Sequence, residues 1–120
     1  MNRKPVLQWV DALSSEKYKQ NSHFLSKDEN SFCALGVLCE VYATTTGRGK
    51  WKESNDHRNF ILNGEDNICC IPDDVADWVG IPYFELIKIS VKNDQGMPFQ
   101  EIATQLLTKL SSKYETKENG

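Results

Sequence analysis

Two short stretches set cationic side chains beside aromatic rings, a combination that grips a phosphate and a flat base together. Arg48, Lys50, Trp51 and Lys52 follow a glycine-flanked loop, and Lys17, Tyr18, Lys19 and Gln20 repeat the pattern nearer the N-terminus. The cations would clamp phosphates while Trp51 or Tyr18 stacks on a base. Gln20, Asn93 and Asp94 would hydrogen-bond a ribose or a base edge. Taken singly, each residue has a plainer role: Trp51 anchoring a loop onto the core, the lysines facing solvent. Taken together, Tyr18, Lys19, Gln20, Arg48, Lys50, Trp51, Asn93 and Asp94 are expected to converge on a small nucleotide ligand.

Other chemistries find less material. Cys33 and Cys39 have five residues between them and Cys69 adjoins Cys70, neither of which is the C-x₂₋₄-C pairing of zinc sites. Cys33, Cys39 and one of the adjacent pair are expected as small buried hydrophobes. His23 and His57 lack a partner at helical ligand spacing, so no metal is expected. No H-E-x-x-H, G-x-S-x-G or phosphate-loop motif occurs, and no catalytic residue or cofactor is expected; a small nucleotide-processing enzyme stays open as an alternative. Ala76, Gly80 and Leu86 have the spacing of a helix-turn-helix corner. A DNA-binding regulator is therefore a second alternative. Against it, the following helix offers only Glu85 and Lys88 as charged readers, and the segment before it is acidic.

The chain that must position these groups has 120 residues, 39% hydrophobic and 26% charged, with a net charge of −3. One domain fits that length, and the acid excess disfavours non-specific nucleic-acid binding. Charge is uneven: residues 48–58 carry four cations against two acids, whereas residues 59–80 carry five acids and no lysine or arginine. No apolar run reaches the ~18 residues of a membrane span. Met1 to Pro5 lead into Trp9 and Asp11, not into a continuous apolar stretch, so a cytoplasmic protein is expected.

The expected fold is α+β, mainly α. Val6, Trp9, Val10 and Leu13 mark a helix over residues 5–15, with Pro5 at its first position. Phe24-Leu25 suggests a brief extended piece. Residues 32–43 are apolar nearly all round and should form the central helix, with another backbone approaching Gly36. Residues 44–50 read as a loop. Phe60–Leu62 and Ile68–Ile71 flank Asn63-Gly64 and suggest a β-hairpin over about residues 59–71, with a loop from Asn63 to Asn67. Residues 73–79 read as a helix stopped by Gly80. Residues 82–91 fit helix or strand, with helix favoured by context, and Asn93 to Gly96 read as a turn. Phe99, Ile102, Ala103, Leu106, Leu107 and Leu110 define a helix over 98–111, followed by a polar tail at about 112–120.

Leu13, the run Lys17 to Gln20, Phe32 to Cys39, Pro72 with Trp78 to Ile81, and Asn93-Asp94 ahead of Phe99 and Ile102-Ala103 form an ordered series. It resembles a family of small uncharacterised bacteriophage and bacterial proteins over roughly residues 9–107. Ala34 stands where that pattern would place a second cysteine. The resemblance carries over no catalytic residue. It implies action by binding, by analogy with small phage proteins that sequester nucleotide second messengers of host immunity. The expected ligand is a cyclic ADP-ribose isomer or a cyclic dinucleotide, held without cleavage in the host cytoplasm by a homo-oligomer.

Overall fold

A computed structural model describes residues 1–119, with side chains described through Ser111. In chain order the elements are α1 (Arg3–Ser14), β1 (Lys19–Gln20), β2 (Ser26–Asp28), β3 (Ser31–Phe32), α2 (Ala34–Thr46), β4 (Lys50–Glu53), β5 (Arg58–Leu62), β6 (Glu65–Asn67), α3 (Asp73–Val79), α4 (Tyr83–Asp94) and α5 (Phe99–Asn119). The fold is α+β and mainly α.

The apolar segment expected at the centre is there, as α2. Residues Ala34 to Cys39 are all buried, with Val41 and Tyr42 beyond them. Phe32 belongs to β3, and the helix starts after Cys33, whose Sγ accepts from the Gly36 amide at 3.4 Å. Gly47 ends it at φ 74°, so Thr44 to Thr46 form its last turn and the loop is shorter than the hydroxyl run suggested. A Cβ on Gly36 would lie 1.7 Å from the Leu25 carbonyl oxygen. That oxygen accepts from the Cys33 amide at 3.1 Å, so the extended chain entering β2 lies directly on the N-terminal end of α2. The extended piece is Ser26–Asp28, one residue beyond the Phe24-Leu25 pair.

α1 buries Val6, Trp9, Val10 and Leu13; the Trp9 indole N–H donates to the Ala34 carbonyl at 2.9 Å, which satisfies the one polar atom of a fully buried ring. Pro5 is the third helical residue, still in the turn whose amides need no helical acceptor. α5 packs along α1 through Phe99, Ile102, Ala103, Leu106 and Leu110. Leu107, counted in the same apolar stripe, faces outward. The side chains of the expected polar tail at 112–120 lie outside the described residues.

The sheet runs β1-β3-β2-β5-β4, with β6 also on β5. β1 and β3 are parallel, and the other pairs antiparallel. The hairpin is tighter than expected. Asn63 and Gly64 both have positive φ, 55° and 79°, the conformation of a two-residue type I′ turn. It pairs Leu62 directly with Glu65. The second strand is therefore the polar Glu65–Asn67, and the apolar Ile68–Ile71 run leaves the sheet. Turn geometry fixed the register ahead of hydrophobic pattern.

Of residues 82–91, Pro82 is the N-cap and the rest are helical, within α4. Its buried side chains are Leu86 and Asn93. Phe84, Ile87 and Val91, spaced as a helical stripe, are exposed, Phe84 to 61%. Asn93 and Asp94 close the helix, and the turn follows at Gln95-Gly96.

Candidate functional site

Phe32, at the end of β3, touches both rings singled out in the sequence. Tyr18 meets it edge-on with centroids 5.1 Å apart, and Trp51 does so at 5.5 Å. Trp51 also leans on Phe60 at 5.0 Å. β4 and β5 explain the grouping: Trp51 faces Phe60 and Glu53 faces Arg58 across the ladder, and directly opposed residues project to the same side. Arg58 is thereby laid against the rings. Its guanidinium carbon lies 4.9 Å from the Trp51 centroid and 5.3 Å from that of Phe32.

Arg58 is only 8% exposed. Its Nε donates to Ser26 Oγ at 3.0 Å, and among the described residues it forms no ion pair. Its field reaches Asp28, but that carboxyl is held low chiefly by the Asn30 amide, with Arg58 a minor cause. Glu40, on α2, accepts from Trp51 Nε1 at 3.1 Å. Burial, and secondarily Glu40, push the Tyr18 hydroxyl above its usual pKa. Tyr18 carries Lys17 over its ring at 5.5 Å.

The remaining expected site residues disperse. Lys50 and Lys52 alternate with Trp51 along β4 and so project from the opposite sheet face; Lys52 lies 4.0 Å from Asp66. The expected clamp of Lys50 and Trp51 on one ligand is thus divided by strand periodicity. Arg48 reaches Tyr42 Oη at 3.0 Å, Asn63 Oδ1 at 2.8 Å and Asp74 Oδ2 at 3.1 Å, tying α2 to the hairpin turn and α3. Asn63 first and Arg48 second hold the Asp74 carboxyl below its usual range. Lys19 is exposed beside Tyr18.

Gln20 and Asn93 do meet, in an internal network. Gln20 Nε2 donates to Asn93 Oδ1 at 2.9 Å and to the Met97 carbonyl at 2.8 Å, and its Oε1 accepts from the Phe99 amide at 3.2 Å. Asn93 Oδ1 also accepts from the Ala34 amide at 3.1 Å, while its Nδ2 donates to the Asn21 carbonyl at 2.9 Å. These amides join β1, α2, α4 and α5.

A cavity of about 350 Å³ lies beside α4. Its walls are apolar at Leu35, Ile71, Leu86 and Ile87, and three thiols line it: Cys33, Cys69 and Cys70. Asp94 stands at its edge, accepting from the His23 amide at 3.0 Å and lying 3.4 Å from the ring Nδ1. Burial pushes the Cys33 thiol up to about 11, so that thiol is protonated at neutral pH. Cys39 is buried as expected, but Cys69 and Cys70 are both exposed, because their segment has left the sheet. Two features escaped sequence reasoning. Arg58 was legible as one of three alternate residues with Phe60 and Leu62. The cavity was not, because β2's approach, α2, α4 and the Ile68–Ile71 segment meet only in three dimensions.

The helical corner of Ala76, Gly80 and Leu86 is present between α3 and α4, with Gly80 at φ 68°, but its second helix turns outward the apolar side chains named above. Among the described residues no group of three or more His, Cys, Asp or Glu is placed to hold a metal ion, and no helix is long and apolar enough to cross a membrane. Comparison with curated proteins and with solved structures returns no match. A family model does match residues 1–110, and the chain belongs to that family, described as "Domain of unknown function (DUF8296)".

Proposed function

We propose that the chain binds a nucleotide-derived signal, a cyclic ADP-ribose isomer or a cyclic dinucleotide, and withholds it without cleavage at the Tyr18–Trp51–Arg58 wall. The observation that carries this reading is Arg58, a cation 8% exposed and without an ion-pair partner among the described residues. A charge with little solvent around it and no counter-ion is unfavourable, and an incoming anion at the guanidinium's solvent-reaching edge relieves it. A phosphate at the Arg58 end leaves the base to the rings of Trp51 and Tyr18. Glu40, already accepting from Trp51, has a second carboxylate oxygen for an amino group on the base edge. Lys17 and Lys19 add positive charge near Tyr18 without contacting the base.

In this reading the protein is a phage-type antagonist of a nucleotide-signalled defence in the host cytoplasm. The outward apolar stripe of α4 supports assembly into a homo-oligomer. The test is direct. Purified protein is titrated with cyclic di-adenylate, cyclic di-guanylate and cyclic ADP-ribose, then denatured, and the nucleotide recovered by chromatography. Saturable binding with intact ligand returned is the expected result. A chemically altered nucleotide would show an enzyme instead. A salt-dependent shift of duplex DNA without nucleotide binding would favour the helix-turn-helix alternative.

A further inference from the structure

The four cysteines divide into two classes. Cys33 and Cys39 are buried; Cys69 and Cys70 are exposed, with their Sγ atoms 4.0 Å apart. The exposed pair sits between the end of β6 at Asn67 and Pro72, and both thiols line the cavity beside α4. Tyr83 lines the same cavity, and burial first, then the neighbouring Cys70 side chain, push its hydroxyl up to about 12. A disulfide requires the sulfurs at about 2.05 Å, a closure of about 2 Å; because consecutive α-carbons are about 3.8 Å apart, below the usual disulfide span, the backbone torsions of the pair must turn along with χ1.

We propose that Cys69 and Cys70 are a modification site, a vicinal dithiol at the cavity mouth that exchanges with low-molecular-weight disulfides and closes into a Cys69–Cys70 disulfide. Cys70 attacks first. Partial burial, the Cys70 sulfur and the Asp94 charge all disfavour a thiolate at Cys69. The Cys70 thiolate forms a bond to one sulfur of the small disulfide, whose own S–S bond breaks. The departing thiolate takes up the proton that Cys70 lost. Cys69 then gives up its proton and attacks Cys70 Sγ, expelling the second small thiolate, which leaves as a thiol. Two protein thiols are oxidised and one small disulfide is reduced to two thiols. Closure moves both sulfurs within the cavity wall they share with Tyr83, so the redox state of the pair sets the width of the cavity mouth.

The test uses the full chain with oxidised glutathione at mildly alkaline pH, read as intact mass after denaturation and by peptide mapping. The wild type is expected to lose two hydrogens, with the new bond mapped between Cys69 and Cys70. Cys69→Ser is expected to stop with one glutathionyl group on Cys70. Because both cysteines are exposed, serine at either leaves the fold intact. A wild type that stays fully reduced, or that accumulates glutathionyl adducts without closing, overturns the proposal. So does equal reaction of Cys33 or Cys39.

Discussion

The aromatic wall and the thiol-lined cavity share the N-terminal end of α2, Phe32 serving the first and Cys33 and Leu35 the second. They treat charge in opposite ways. In the cavity the acid is answered from within: Asp94 is engaged twice by His23, and the Cys33 thiol is held neutral by burial. On the wall a cation is buried against rings, with one hydroxyl as hydrogen-bond acceptor and, among the described residues, no carboxylate paired to it. The lesson is that size of cavity and readiness for a charged ligand are separate properties. The hollow is lined by apolar groups and thiols; the wall holds the buried cation on which the proposed anion binding rests.

The comparison breaks most completely at Gly36. Its Cβ position is 1.7 Å from the Leu25 carbonyl oxygen, a backbone atom that cannot swing aside. Gly36→Ala should destabilise the fold by about 4 kcal/mol or more, abolishing both regions, as read by denaturant unfolding. Asn93→Ala comes next. It removes three hydrogen bonds, two of them buried, that join β1, α2 and α4 and should cost about 3 kcal/mol, while leaving the Trp51–Phe32 contact in place.

Alkaline unfolding separates the regions by pH. Burial pushes the folded Cys33 thiol up to about 11, above the ordinary thiol value of 9.0. Between those values the unfolded chain has lost this proton and the folded chain keeps it, so stability is intact below pH 9 and falls as pH rises toward 11. The loss reaches about 2–3 kcal/mol from this group. Cys33→Ser, which keeps a helix-capping oxygen, should flatten that slope in a pH series of thermal melts. Smallest is the contrast within β4. Trp51→Ala should cost about 2–3 kcal/mol and weaken nucleotide binding at least tenfold. Lys50→Ala, on the opposite face, should change stability by under about 0.5 kcal/mol and leave affinity unaltered in the same titration.

How far these features were legible depended on the range of the interactions involved. Local patterns read well. The 3.6-residue stripe of α1, the apolar run of α2 with its glycine under Leu25, and the Gly80 stop are all set by neighbours in sequence. Where two local signals competed, the apolar pattern was given too much weight. Asn63-Gly64 closed the hairpin at once and carried Cys69 and Cys70 out to the surface. On the site, Tyr18 and Trp51 were identifiable as rings beside cations, and Phe32 does bring them together. Which cation joins them was a question of strand alternation, and alternation selects Arg58 over Lys50. The Gln20–Asn93 pairing spans 73 positions, a distance at which residue type suggests hydrogen bonding but not the partner.

The central claim is that Arg58 is kept buried for a ligand and not for the fold. Arg58→Met, with thermal melting and nucleotide titration on the same sample, tests it most directly. The account predicts a variant that melts at or above the parental temperature, because an unpaired desolvated charge is gone, yet binds cyclic nucleotide at least tenfold more weakly. A folded variant that melts several degrees lower and titrates with the parental affinity would contradict it.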